Sequence, residues 1–425
     1  MRRLTAAELL KTPPSGLAPR DPAVELAVAS IIDVVGRSGD AGVRRLRAKL
    51  DVEADREWPD VEVPRARWAA ALDALAPPLR AALEAMVARV RRFALLQKAQ
   101  LRDFEAEVEP GVRAGQHFAP IEKVACYVPA GRHPLPSTAV MTVVPARVAG
   151  VREVLVLCPR PSPAVLAAAH LAGADRVLAL GGAQGIAAAA LGTASVPRVD
   201  LVCGPGGVYV AEAKRQLAGS VGTDLPAGPS EVLVVADETA DPDLVFADLC
   251  AQAEHDPAAR PLLVSVSGRL VDDVLARVER GFAGRPNAEA LEPAFARNGL
   301  AVLAPSLEEA AACVDHVAPE HLEVMVADPD AFLARVRHFG AAFLGPHAAE
   351  VFGDYGAGPN HVLPTGGAAR FAAGLSVLTF LRCRTTLRLE AGKAQALVAL
   401  TVTLAEAEGL AAHAEAARLR GRPAG

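Results

Sequence analysis

Between residues 119 and 344, short and almost uninterrupted apolar runs alternate with Ala-rich stretches of helical spacing. That rhythm leaves the chain few folds to choose from. Residues 154–158 precede 162–172, residues 176–180 precede 183–191, and residues 199–203 precede 208–217. A strand that is apolar at every position is buried on both faces. Strand followed by helix, repeated, builds right-handed βαβ units around a parallel sheet. A second series of the same kind starts at 231–236 and runs through 243–254, 262–266, 270–282, 300–303 and 307–314 to 341–344. The expected fold is α/β, with two Rossmann-like doubly wound parallel-sheet domains and smaller helical N- and C-terminal segments. Helical spacing at 22–49 and 66–100, and an Ala/Leu/Glu tail from 385, set the boundaries. They are a helical region 1–118, a first α/β domain 119–230, a second 231–384, and a helical tail 385–425.

Composition narrows the function classes. Lys+Arg number 44 against 49 Asp+Glu, a net charge of −5, so the basic footprint of a nucleic-acid binder is missing. The Arg-rich 89–92 and 418–422 read as solvated helix faces. Six cysteines are scattered with no CxxC, which reads as buried free thiols in a reducing compartment. The start, Met1-Arg-Arg-Leu-Thr5, lacks the apolar stretch of a signal peptide. No uninterrupted run of about 18 apolar residues suggests a membrane span. A cytoplasmic protein with neither a nucleic-acid nor a membrane partner is expected.

Ten histidines focus the search for chemistry. His117, His133, His170, His316, His338 and His347 have no partner in the local sequence and read as structural. His255 closes Gln252-Ala-Glu-His255, and the i,i+3 pair shares a helix face. Either an imidazole and an amide oxygen bind a metal there, or a histidine sits on a helix dipole. Glu320 and His321 are adjacent ahead of a strand: two acid/base groups, or a capping Glu beside a surface His. The segment 353–365 holds Asp354 and His361 among Gly353, Gly356, Gly358, Pro359 and Pro364, so its backbone path is constrained; it is a site loop or a plain turn. Glu408 and His413 are five apart, which would splay them by roughly 140° on one straight helix. A shared site would need a break, which Gly409 can provide.

Glycine turns follow two of the strands, at Leu180-Gly-Gly-Ala-Gln184 and Cys203-Gly-Pro-Gly-Gly207. Such turns let backbone N–H groups face a phosphate. Neither is a GxGxxG, and no ribose-binding acid stands at the usual interval.

Taken in order, Cys126-Tyr-Val-Pro-Ala-Gly131, Gly181-Gly-Ala-Gln184, Gly204-Pro-Gly206, Asp224-Leu-Pro-Ala-Gly-Pro-Ser-Glu231, Gln252-Ala-Glu-His255, Pro319-Glu-His-Leu322, the loop 354–365 and Ala407-Glu-Gly-Leu-Ala-Ala-His413 resemble the histidinol dehydrogenase family. The resemblance spans nearly the whole chain. It implies an NAD-dependent, zinc-dependent four-electron oxidation of L-histidinol to L-histidine through L-histidinal, the last steps of histidine biosynthesis. It implies zinc ligands at Gln252, His255, Asp354 and His413, one ion per subunit. It implies His321 as the base for the alcohol proton and Glu320 as the activator of water. Substrate contacts map to Ser230, His361 and Glu408, together with His321 and the four ligand positions. NAD contacts map to Tyr127, Gln184 and Gly207. Family members are homodimers with a shared site, and His413 maps to the ligand that crosses between subunits.

One position departs from the family's pattern: Gly207 stands where the family has Asn. A lost amide removes hydrogen bonds worth roughly 0.5–1.5 kcal/mol net, so weaker NAD binding is expected. The runner-up is a dehydrogenase on the same scaffold acting on another small alcohol, such as a sulfonated diol. It would want a cation to meet the sulfonate, whereas Glu408, Ser230 and His361 suit histidinol. A non-catalytic zinc-binding relative has Gly207 as its only support.

Overall fold

Both α/β series fold as parallel sheets in a computed structural model, which describes residues 1–13, 21–130, 134–224, 228–390 and 395–421. Gly131, His133, residues 225–227 and Arg422, named above, lie outside the described residues. The chain divides into two units: Met1–Leu95 with Ile121–Phe380, and Leu96–Pro120 with Leu381–Gly425. In chain order the strands are β1 (Arg2–Thr5), β2 (Phe104–Glu109), β3 (Val112–Pro120), β4 (Lys123–Tyr127), β5 (Glu153–Leu157), β6 (Arg176–Leu178) and β7 (Leu201–Cys203). They continue with β8 (Gly222–Thr223), β9 (Glu231–Ala236), β10 (Arg260–Ser265), β11 (Leu300–Leu303), β12 (His321–Met325), β13 (Ala341–Leu344) and β14 (Leu381–Leu389).

The first sheet has the order β6-β5-β4-β7-β8 and is parallel throughout. Its direction of winding reverses between β4 and β7, which opens a crevice at their carboxyl ends. Small side chains let the helix Gly182–Leu191 lie close to the sheet, with Ala187, Ala188, Ala189 and Ala190 all buried. Helix Pro22–Leu50 starts on Asp21, whose carboxylate caps the Ala23 N–H, and kinks where Gly39 adopts φ 51°. The helical stretch after it is two helices, Arg65–Asp73 and Pro77–Ala99, because Pro77-Pro78 cannot continue a helix.

The second sheet has the order β1-β11-β10-β9-β12-β13, again all parallel. Here the reversal lies between β9 and β12. At the sheet's carboxyl end Asp237 accepts from the N–H groups of Ala327 (2.7 Å) and Thr239 (2.9 Å). Glu231, Arg260 and His321 begin their strands at its amino-terminal edge.

The second unit holds an antiparallel sheet, β14-β3-β2, and a helix pair, Gln395–Ala407 and Ala411–Arg420. Gly409 breaks that pair with φ 73°, as its place between Glu408 and His413 suggested. Leu400, Leu404, Leu410 and Leu419 are exposed. A helix that is apolar on several faces ordinarily has those faces covered. Five of the six cysteines are buried and free, and Cys383 is exposed. Among the described residues no helix is long and apolar enough to cross a membrane.

Candidate active site

Glu320 and His321, the candidate acid/base pair, meet at the amino-terminal edge of the second sheet. Helix Leu307–Val317 ends on Ala318, a non-glycine residue held at φ 49°, ψ 64°. Such a conformation costs about 1 kcal/mol or more and persists where the surroundings over-determine it. It turns the chain so that Glu320 and His321 enter β12 from inside the protein, and both are buried. The surface-histidine alternative therefore does not hold. His321 Nδ1 lies 3.1 Å from the Glu231 carbonyl and 3.2 Å from Gln252 Oε1. Both neighbours are acceptors, so Nδ1 carries the hydrogen and Nε2 the lone pair. Nε2 is buried and, among the described residues, unpartnered. Burial, with His255 and His361 nearby, pushes the imidazole down to about 3, so it is neutral at pH 7. Glu320 accepts the Glu231 N–H at 2.9 Å. Burial, then the Glu231 and Asp354 carboxylates, push Glu320 well above the usual carboxyl range.

Beside this pair is a set of metal donors. Gln252 is fully buried in the last turn of helix Pro242–Ala253, and His255 follows just past its C-cap. Asp354 projects from helix Glu350–Tyr355. Its near neighbour Glu350 was not singled out by sequence, although the i,i+4 spacing of two acids signals a common face. Ligand atoms of His255, Glu350 and Asp354 all lie within 4.8 Å of one another. Glu350 Oε2 and Gln252 Nε2 are buried and unpartnered among the described residues. Burial lifts Asp354 to about 6, with His255 opposing the shift, and raises Glu350 well above its ordinary range. Carboxylates that crowd together in a buried place call for a cation. An imidazole, an amide oxygen and carboxylates suit a borderline divalent ion.

The glycine-rich loop is pinned to the start of β9. The Gly228 N–H donates to Thr365 Oγ1 at 2.5 Å, and the Gly366 N–H to Glu231 Oε1 at 2.9 Å. Arg260 binds the other oxygen of Glu231 at 2.6 Å. His361, on this loop, lies 3.2 Å from the Asp354 carbonyl through Nδ1. A cavity of about 350 Å³ is lined by Ser230, Glu320 and His361 from the second sheet's side and by Gly204, Pro205 and Asp224 from the first. His347, read as structural, lines a neighbouring cavity together with His321 and Asp354.

The carboxyl-end crevice of the first sheet carries the remaining candidates. Tyr127 ends β4, and Gly204-Pro205-Gly206-Gly207 follows β7. A side chain at Gly204 would collide with the Tyr127 carbonyl, and one at Gly206 with Val210. The turn is held from below by the buried Lys214, which donates to the Gly204 carbonyl at 2.9 Å and pairs with Asp224. The Tyr127 hydroxyl accepts the Gly182 N–H at 3.2 Å, and burial pushes the phenol up to about 12. Gln184 is buried and donates to Asp51 at 2.6 Å. Gly207 caps helix Val208–Leu217, and a side chain there would meet nothing within 4 Å.

The structure thus brings Gln252, His255, Asp354, Glu320, His321, Ser230 and His361 into one region. Tyr127, Gln184 and Gly207 lie at the ends of the first sheet's strands. Glu408 and His413 belong to the second unit, both exposed, with His413 at the start of the helix Ala411–Arg420.

A family model described as histidinol dehydrogenase matches residues 18–421. The histidinol dehydrogenase of Thermus thermophilus is 45% identical over 401 residues, 94% of this chain and 95% of its own. That of Dechloromonas aromatica is 42% identical over 407 residues, 95% of this chain and 94% of its own. The crystal structure of histidinol dehydrogenase from Elizabethkingia anophelis is similar at a TM-score of 0.91 and 29% identity, covering 99% of this chain and 98% of that one.

Proposed function

Because the chain belongs to the histidinol dehydrogenase family, we propose that it converts L-histidinol to L-histidine through L-histidinal, with two NAD as oxidants and one zinc per subunit. It is an oxidoreductase acting on histidinol in histidine biosynthesis. The observation that carries the finer reading is the adjacency of a neutral buried imidazole, a raised carboxyl and a cation-seeking donor set, with His321 Nδ1 within 4 Å of Gln252, Glu320 and Glu350.

In the first half the alcohol loses a hydride and a proton. In the second the aldehyde takes up water, then loses a hydride and two protons to leave a carboxylate. When bound, NAD supplies the hydride acceptor in each half and zinc supplies a fixed positive anchor for the substrate's imidazole and amine. Gln252, His255 and Asp354 are the ligands from one subunit. His413 of the partner subunit is the fourth, and Glu408 of the partner subunit meets the substrate's ammonium. The exposed leucines of the helix pair support a second copy as their cover. His321 Nε2 takes the alcohol proton. Glu320 takes a proton from the attacking water, held in place by the Glu231 N–H. Ser230 and His361 line the substrate cavity. Tyr127, Gln184 and residue 207 face the dinucleotide, an assignment supported by the crevice at the sheet's winding reversal. The buried free thiols accord with a cytoplasmic enzyme.

Gly207→Asn is expected to lower the KM for NAD by roughly 2- to 10-fold, the scale of one net hydrogen bond. The open space around residue 207 admits the side chain, and Asn is also a preferred helix N-cap. An unchanged or raised KM counts against Tyr127, Gln184 and residue 207 as the dinucleotide's contacts. The function itself is tested by incubating zinc-loaded protein with L-histidinol and NAD and separating the products. Histidine is the expected product; untouched histidinol with folded, metal-loaded protein overturns the reading.

A further inference from the structure

Dinucleotide sites of doubly wound folds place an acid against the adenosine ribose, at the carboxyl end of the strand next to the first. Here that strand, β5, runs out at its carboxyl end into Cys158-Pro159-Arg160, with no acid there. We propose that Asp51, delivered from outside the sheet by the helix Pro22–Leu50, is the ribose acceptor and sets a preference for NAD over its 2′-phosphorylated form. The inference rests on the NAD reading above.

Three observations carry it. Asp51 is the C-cap of that helix, and its Oδ2 receives the Gln184 amide at 2.6 Å, so the carboxylate sits on the first turn of the helix after β6. Among the described residues no donor is bonded to its Oδ1. Second, its charge acts on Tyr127 and on Arg160, which places it over the ends of β4 and β5. Third, the two nearby cations are engaged elsewhere: Arg160 binds Glu53 at 2.7 Å and the Ala130 carbonyl at 3.1 Å, and the buried Arg47 donates to the Trp58 carbonyl at 2.7 Å. A ribose hydroxyl in this place gains a charged acceptor, whereas a 2′-phosphate meets two carboxylates, Asp51 and Glu53. Repulsion of that kind is what separates two otherwise similar ligands.

The test is calorimetric titration of the zinc-loaded protein with NAD, NADP and the NAD analogue that lacks the adenosine 2′-hydroxyl. The wild type is expected to bind NAD about tenfold or more tightly than either alternative, the scale of a hydrogen bond to a charged group. Asp51→Asn keeps an oxygen for Gln184 and should narrow both ratios while leaving the Tm unchanged. A variant that folds normally and keeps both ratios overturns the proposal. Equal wild-type affinity for NAD and the deoxy analogue overturns it without any variant. Wild-type protein that binds no dinucleotide overturns the NAD reading itself, a result distinct from the other two.

Discussion

His321→Asn is expected to lower kcat for histidinol oxidation by about 10²- to 10⁴-fold, the contribution of a positioned general base. The substituted amide can still donate to the Glu231 carbonyl, so the hydrogen bond that orients residue 321 survives. What vanishes is the lone pair of Nε2, the one nitrogen with no partner among the described residues. Because burial holds the imidazole neutral down to about pH 3, the wild-type base is available across the neutral range. The loss should therefore appear in kcat at all pH values from 6 to 9, with zinc content and Tm unchanged. Steady-state rates with metal analysis of the same preparation check this. A variant within a few-fold of wild type would remove His321 from the chemistry.

Glu320→Gln should divide the reaction instead of stopping it. The carboxyl accepts the Glu231 N–H and, on the proposed reading, takes a proton from water; the amide oxygen retains only the first. Oxidation of histidinol to histidinal needs no water, so that half should persist within about tenfold, while oxidation of added histidinal falls by about 10²- to 10⁴-fold. Single-turnover absorbance should then register one NADH per site where the wild type gives two. Equal losses in both halves would assign Glu320 a structural task, with its burial beside Glu231 as the reason.

Much of the fold was legible because the packing follows period. Strands β9, β11 and β13 and the helix Val208–Leu217 fall on the limits that their apolar runs imply. The strand β1 did not announce itself: Arg2-Arg3-Leu4-Thr5 is polar, lies at a sheet edge, and pairs with Leu300–Leu303 from the far end of the chain. Strand β14 is exposed or half-buried along its length, so no buried face imposed an apolar alternation on Leu381–Leu389. In the site, Gln252 with His255 and Glu320 with His321 were visible as local pairs, whereas their common location depends on β9 and β12 lying side by side. Glu350 escaped because a lone acid before Val-Phe-Gly-Asp reads as a solvated helix start, yet it is buried beside Asp354. Asp51 is likewise silent in sequence, since its partner Gln184 lies 133 positions away.

On the proposed reading, one site uses both a metal and two dinucleotides to carry histidinol to histidine. Counting NADH released per histidinol consumed, before chelation, after chelation and after restoring zinc, tests it most directly. Two NADH per histidinol are expected, none after the metal is removed, and two again on adding zinc. One NADH per histidinol, or full turnover by metal-free protein, would contradict it.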